Sequence, residues 1–354
     1  SGEAAEITFS VDVEARPGHW ANYPITVVRR IVLNFGGSLR GADIVFASDL
    51  PPASGVSSSS ALVVAIFLAL SSVNDLSSRE AYRESIRTPQ DLAGYLGAVE
   101  NGLDFKSLTG NIGVGTFGGS EDHTAILCAA PNALVQYSFS PVTFERGLPL
   151  PATLTFVIGA SGILAEKSGA ALELYNRVSR RLRVCLEQWN RATGRDDVSM
   201  GAAIRSSPDA SEQIRSVLER VTDAAFSSTS LVKRFEQFNL ETARVIPAAG
   251  DALARGDLPG FGELVDQSQR AAEWGLENQI DETLALVASA RKLGAVAASA
   301  FGAGFGGSVW ALVDSSTADD FLGKWSAGYA AAFPAAAKRA TFFTTLAGPP
   351  AIPL

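Results

Sequence analysis

Pro51-Pro52-Ala53-Ser54-Gly55-Val56-Ser57-Ser58-Ser59-Ser60-Ala61 decides how this chain is to be read. The stretch Ala42–Ser48 before it has strand character, and the uninterrupted apolar run Ala61–Leu70 after it reads as a buried helix. A glycine and small hydroxyl side chains at a helix start leave backbone N–H groups open. Together with the positive end of the helix dipole they form an anion site. The triphosphate of ATP is the anion expected there. The alternative is a serine-rich linker, but a flexible linker does not belong between a strand and a strongly apolar helix.

Working outward, the chain of 354 residues can hold two domains, and 47 % apolar residues can build their cores. A charged fraction of 19 % argues against disorder. The net charge of −8 argues against a nucleic-acid or anionic-membrane partner. Cys128 and Cys185 lie in apolar segments, which suits buried thiols in a reducing cytoplasm. With only His19 and His123, a histidine-rich metal site is excluded. The run Ala61–Leu70 is half the length a membrane span needs, and no secretory signal pattern opens the chain. Met200 is the single methionine, so the Ser1-Gly2 start reads as a processed end.

Alternation predicts strands at Ile7–Val13, Ala42–Ser48, Ala133–Phe139, Leu154–Ile158, Val309–Val313 and Ala340–Leu346. Three- and four-residue spacing predicts helices at Trp20–Asn34, Ser57–Val73, Thr88–Glu100, Ala165–Thr193, Ser211–Ala224, Thr229–Ala254, Gly260–Gly275, Ile280–Leu293 and Ala318–Phe333. Gly110–Gly119 reads as a loop, and Pro141–Pro151, with three prolines, as an inter-domain turn. The class is α+β, with sheets covered by helices.

Two further clusters matter. Gly302-Ala303-Gly304-Phe305-Gly306-Gly307 has the spacing of a dinucleotide fingerprint but leads into a strand, not a helix. It predicts either a tight turn or a close approach of backbone to backbone or ligand. Gly118-Gly119-Ser120-Glu121-Asp122-His123 offers a catalytic carboxylate or an ordinary solvated acidic loop.

In this order the three clusters resemble the GHMP small-molecule kinases, most closely their galactokinase branch. Pro51, Ser54, Gly55, Val56, Ser57, Ser58 and Ser59 match the family's phosphate loop. Gly118–His123 is similar to its Gly-x-Met-Asp-Gln stretch, and Gly302–Gly307 to its C-terminal glycine motif. Trp20-Ala21-Asn22-Tyr23 is similar to a segment that lines the adenine pocket. Tyr175-Asn176-Arg177 stands where the branch has a sugar-facing tyrosine, and Phe238–Gly262 and Ser268–Glu282 look like its C-terminal domain. The likeness runs from Trp20 to Val313.

The resemblance implies an N-terminal domain like ribosomal protein S5 domain 2 over residues 1–150 and a ferredoxin-like C-terminal domain over 151–354. It implies ATP and Mg²⁺, with Trp20 and Tyr23 facing adenine, Ser59 and Glu100 holding the metal, and Asp104 and Glu121 as rivals to Glu100. Asp122 would face the anomeric hydroxyl of a monosaccharide as general base or orienting acceptor, with Gly119, Tyr175 and Gly304 lining the sugar. The implied activity is an ATP-dependent sugar 1-kinase. Galactose is the first substrate considered, followed by L-arabinose, a uronic acid or another aldose. A catalytically weak nucleotide- and sugar-binding regulator is the alternative. The branch's first motif, which grips the sugar ahead of the Trp-Ala-Asn-Tyr segment, has no counterpart here. Glu14–His19 is a faint likeness only. The expectation is that the N-terminal domain lacks its leading segment in this chain, and that a separate N-terminal piece of the same gene product could be a partner.

Overall fold

A computed structural model describes residues 6–14, 16, 19–51, 54–165, 169–302 and 304–352. Of the stretches singled out above, Ser1, Gly2, Ala15, Pro17, Gly18, Pro52, Ala53, Glu166, Lys167, Ser168 and Ala303 lie outside the described residues.

The first half is a helical layer: α1 (Asn22–Phe35), α2 (Ser58–Asn74), α3 (Glu80–Ser85), α4 (Pro89–Asn101) and α5 (Glu121–Cys128). Helix α2 is apolar on every side because its neighbours cover it. Val63 and Phe67 meet Val27 and Ile31 of α1 and Tyr95 and Leu96 of α4 in one core. Helix α4 starts where the Thr88 side chain accepts the Asp91 N–H with Pro89 in the first turn, and stops at left-handed Gly102.

Two expected strands do not form. Residues 7–13 and 42–48 are without ladder partners among the described residues, and Val45 is 97 % exposed. Alternation gives a segment two faces, but a strand also needs a neighbour about 4.8 Å away. The expected turn at 141–151 is also corrected. Strand β1 (Ala133–Ser138) pairs antiparallel with β2 (Thr143–Pro149) as a hairpin. Its prolines fall before the strand, at its last residue and beyond it, where no ladder donor is lost. Arg146 on β2 donates to the Pro247 carbonyl and to Asp251, both 2.6 Å away, so the hairpin is fastened to the second half.

The second half opens with β3 (Leu154–Ala160) and a helical excursion: α6 (Gly169–Thr193), α7 (Met200–Ile204), α8 (Ala210–Leu218), α9 (Ser228–Leu240), α10 (Ile246–Ala254) and α11 (Leu258–Ala271). Cys185 and Trp189 of α6 pack on Ile214 and Phe235 in its core. A single π turn joins α9 to α10 (Glu241–Val245) and another follows α11 (Ala272–Leu276). Then come α12 (Asp281–Lys292), β4 (Ala297–Ala300), β5 (Ser308–Asp314), α13 (Ala318–Ala332) and β6 (Thr341–Thr345). The sheet order is β4-β5-β3-β6 with every neighbour antiparallel. Leaving out the excursion, the chain order is β-α-β-β-α-β, the ferredoxin-like arrangement. Both cysteines are free and buried. Among the described residues no helix is long and apolar enough to cross a membrane.

Trp325 of α13 is the largest anchor of this sheet. It is fully buried against Val157, Val309 and Leu286, and its indole N–H reaches the Leu286 carbonyl at 3.1 Å. A side chain on Gly159 would meet this ring at 2.9 Å, so the strand needs glycine there. Trp325→Ala is expected to cost about 3–5 kcal/mol of stability, read from the urea midpoint. A loss below about 1 kcal/mol would show that the sheet does not lean on this ring.

Candidate active site

The serine loop enters α2 through Gly55 at φ 76° and Ser57 at φ 60°, both left-handed. Ser57 makes no side-chain cap, so the first-turn N–H groups of α2 are not taken up by it. Facing the loop is the second glycine cluster. A side chain on Gly55 would come within 3.5 Å of the Gly307 Cα, and one on Gly307 within 2.9 Å of the Ser54 carbonyl oxygen. The buried Ser308 hydroxyl donates to that same Ser54 oxygen at 2.7 Å, and the Ser54 hydroxyl donates to the Pro51 carbonyl at 2.7 Å. The close approach of backbones expected from a glycine loop entering a strand is therefore made to the serine loop itself. Gly307 is bonded in turn to Ile163 and Ser161 at the end of β3. Gly304 is seated on Asn278, whose carbonyl accepts the Phe305 N–H at 2.6 Å.

Below the serine loop lies Glu100, 4 % exposed near the end of α4. Ser60 donates its hydroxyl to Glu100 Oε2 at 3.0 Å. Nε2 of His123, only 1 % exposed, stands 3.1 Å from the same oxygen, at an angle outside hydrogen-bond geometry. Burial and then the Glu100 charge push the Tyr23 phenol pKa up, an effect the neighbouring Ser59 partly offsets. The Tyr23 ring packs on the α1–α2–α4 core, and its hydroxyl lies toward Ser59 and Glu100. Trp20 is elsewhere, edge-on to Phe46 at 6.2 Å and stacked on His19 at 5.9 Å.

Asp122 sits in the first turn of α5. Tyr175 of α6 reaches the same place from the second half. Its hydroxyl is 2.8 Å from where a Gly118 side chain would be, and its phenol pKa is raised by burial, then by Asp122, Glu100 and Tyr23. Gly119 is open, with nothing within 4 Å of its absent side chain. Glu121 stands at the mouth, walled by protein yet reached by solvent. Desolvation, then Asp122 and Glu241, raise its pKa. Burial likewise raises the Glu241 carboxyl, which projects from the first π turn, while a bond from Ser268 partly offsets it. Asp104, the other rival metal ligand, is exposed and accepts the Gly110 N–H at 2.5 Å within its own loop.

The structure thus brings Tyr23, Ser59, Glu100, Asp122 and Tyr175 into one electrostatic neighbourhood, with the phosphate-loop residues above it and Trp20 to one side. It adds four residues that the sequence reading gave no role: Ser60 and His123 on Glu100, Asn176 on the loop before Asp122, and Glu241. The His123 signal was present in the acidic cluster. Glu241 lay inside an unbroken helical pattern that hides the π turn.

Residues 22–103 match the GHMP kinases N terminal domain, and residues 251–331 match GHMP kinases C terminal. A galactokinase of Roseiflexus sp. (strain RS-1) is 27 % identical over 323 residues, 89 % of this chain and 72 % of that protein. A galactokinase of Chloroflexus aggregans is 27 % identical over 321 residues, 88 % of this chain and 70 % of its own. Among solved structures, Lactococcus lactis galactokinase complexed with galactose superposes with a TM-score of 0.71 at 21 % identity, covering 96 % of this chain and 78 % of that one. L. major mevalonate kinase in complex with R-mevalonate gives 0.50 at 15 % identity, covering 93 % and 78 %.

Glu121 carries a pH signature. Its folded-state pKa is raised, so the stability held by its protonated form is full below the unfolded carboxylate range, about pH 4, and is lost as pH rises through the folded value. Glu121→Gln removes that loss. Its melting temperature is expected to exceed that of the parent at neutral pH, with the gap closing below about pH 4. An equal or lower melting temperature at neutral pH would contradict the crowding of these carboxylates.

Proposed function

We propose, because the chain belongs to the GHMP kinases and within them to the galactokinase-like branch, that it transfers the γ-phosphoryl group of ATP to the anomeric hydroxyl of a monosaccharide. The observation that carries this reading is the meeting of Asp122, Tyr175 and Glu100 in one field beside the serine loop. One half of the chain supplies Asp122 and Glu100, and the other supplies Tyr175 and the second glycine cluster. We assign residues 1–150 to the nucleotide-binding domain and 151–354 to the C-terminal domain.

Phosphoryl transfer needs positioning and charge stabilisation more than covalent chemistry from the protein. The α2 start and the backbone around Gly55 cradle the phosphates, with Trp20 as the aromatic face nearest the base. Asp122 accepts the hydrogen of the sugar hydroxyl and aims its oxygen at the phosphorus. Tyr175 holds the sugar from the opposite side. Its raised pKa keeps its hydrogen in place as a donor at neutral pH. Ser59 and Glu100 would hold Mg²⁺. Both offer hard oxygens, and the Ser60 bond already orients the Glu100 carboxylate. Among the described residues no three acidic, histidine or cysteine side chains gather as an all-protein metal cage, which suits an ion sharing its shell with phosphate and water. Bound there, Mg²⁺ would offset charge on the transferring phosphate.

The field also bears on the substrate. Asp122 and Glu241 lie near enough to Glu121 to raise its pKa, and ionised carboxylates there would repel a sugar carboxylate. A neutral aldose, galactose first and L-arabinose next, is favoured over a uronic acid. A coupled ADP-release assay over a panel of aldoses and uronic acids tests this. ADP release should depend on a neutral aldose, and Asp122→Ala should lower turnover by at least about a hundredfold while ATP affinity stays unchanged. Sugar and nucleotide binding without ADP release would point to a regulator instead, and near-normal turnover of Asp122→Ala would refute its role.

A further inference from the structure

The loop 115–118 runs directly into the turn that carries Asp122, and it is held from two sides. From the first half, Asn101 at the end of α4 accepts the Gly118 N–H at 2.5 Å, and its own amide is fixed on the Gly97 carbonyl at 2.7 Å. From the second half comes Asn176 on α6, one residue after Tyr175. The Phe117 N–H donates to its Oδ1 at 2.9 Å, and its Nδ2 donates to the Gly115 carbonyl at 3.0 Å. Both ends of this side-chain amide are thus bonded, and the residue is only 5 % exposed. Two turns further along α6 the Arg183 guanidinium lies 5.6 Å over the Phe117 ring. Gly115, at φ 96°, lets the loop bend into this grip, and Gly118 lets the Tyr175 hydroxyl approach.

We propose that Asn176 is a positioning residue. By clasping 115–117 it sets the loop, and so Asp122, in register with its neighbour Tyr175. A side-chain amide suits the task because it can satisfy an N–H and a C=O two residues apart at once. Without it both backbone groups lose the side chain that fastens them to α6. The loop then shifts relative to α6, and displacements near 1 Å between reacting groups can cost about a hundredfold in rate. The kinetic part of this inference rests on the sugar-kinase reading above; the clasp itself does not.

The test pairs amide hydrogen exchange, read by mass spectrometry, with steady-state kinetics of the full chain. For Asn176→Ala, exchange of the 115–118 peptide should rise at least about tenfold, with peptides of α2 and the 154–160 strand unchanged. Turnover should fall at least about tenfold while the KM for ATP stays at the parent value. Asn176→Asp keeps the acceptor for Phe117 and loses the donor to Gly115. It should give a smaller rise in exchange, and it serves if the alanine variant does not fold. Parent-like exchange in 115–118 would overturn the clasp. Equal losses of turnover, ATP binding and protection across the molecule would overturn the positioning role in favour of a general packing one. If the parent protein releases no ADP with any sugar, the kinase reading fails while the exchange result still judges the clasp.

Discussion

The site depends on one close contact of backbones. Gly307 can lie against the Ser54 carbonyl only because neither it nor Gly55 carries a side chain, and Ser308 closes the contact with a buried hydrogen bond. That contact joins the start of α2, in the first half, to the sheet of the second half through Ser161 and Ile163. The proposed anion cradle would consequently be a property of the assembled molecule: the helix start would supply the N–H groups, and the second glycine cluster holds the serine loop against the other half. Asn176 does the same service for the loop before Asp122, so two contacts between the halves flank the reacting centre.

The second constraint is electrostatic. In the proposed reaction the carboxylates of the site would face a negatively charged phosphate, and a cation between them would offset the repulsion. Ser59 and Glu100 would offer that cation oxygen ligands, and the Ser60 hydroxyl orients the Glu100 carboxylate. Glu121 and Glu241 have raised pKa values first because burial desolvates them, and Asp122 and Glu241 raise that of Glu121 further.

Much of this was legible in the sequence. The serine loop, the acidic turn and the second glycine cluster each have a composition that few other local structures use, and all three stand together in the fold. Helices with sustained apolar spacing, such as α1, α2, α12 and α13, form where they were expected. The errors have physical reasons. Alternation at 7–13 and 42–48 describes a face and says nothing of a partner. The prolines of 141–151 sit at positions that a hairpin tolerates. Strand β4 is Ala-Ala-Ser-Ala, without a β-branched or aromatic residue, and is a strand only because β5 pairs with it. The Asn176 clasp was invisible since its two bonds span about sixty residues of sequence.

The most direct measurement is the ATP affinity of Gly307→Ala by calorimetry in the presence of Mg²⁺, with circular dichroism to confirm the fold. The added methyl group falls 2.9 Å from the Ser54 carbonyl oxygen at a backbone angle of φ 91°, so the two loops must separate. If their contact forms the phosphate cradle, affinity drops at least about tenfold while helical content is retained. Unchanged affinity in a folded variant would contradict the account.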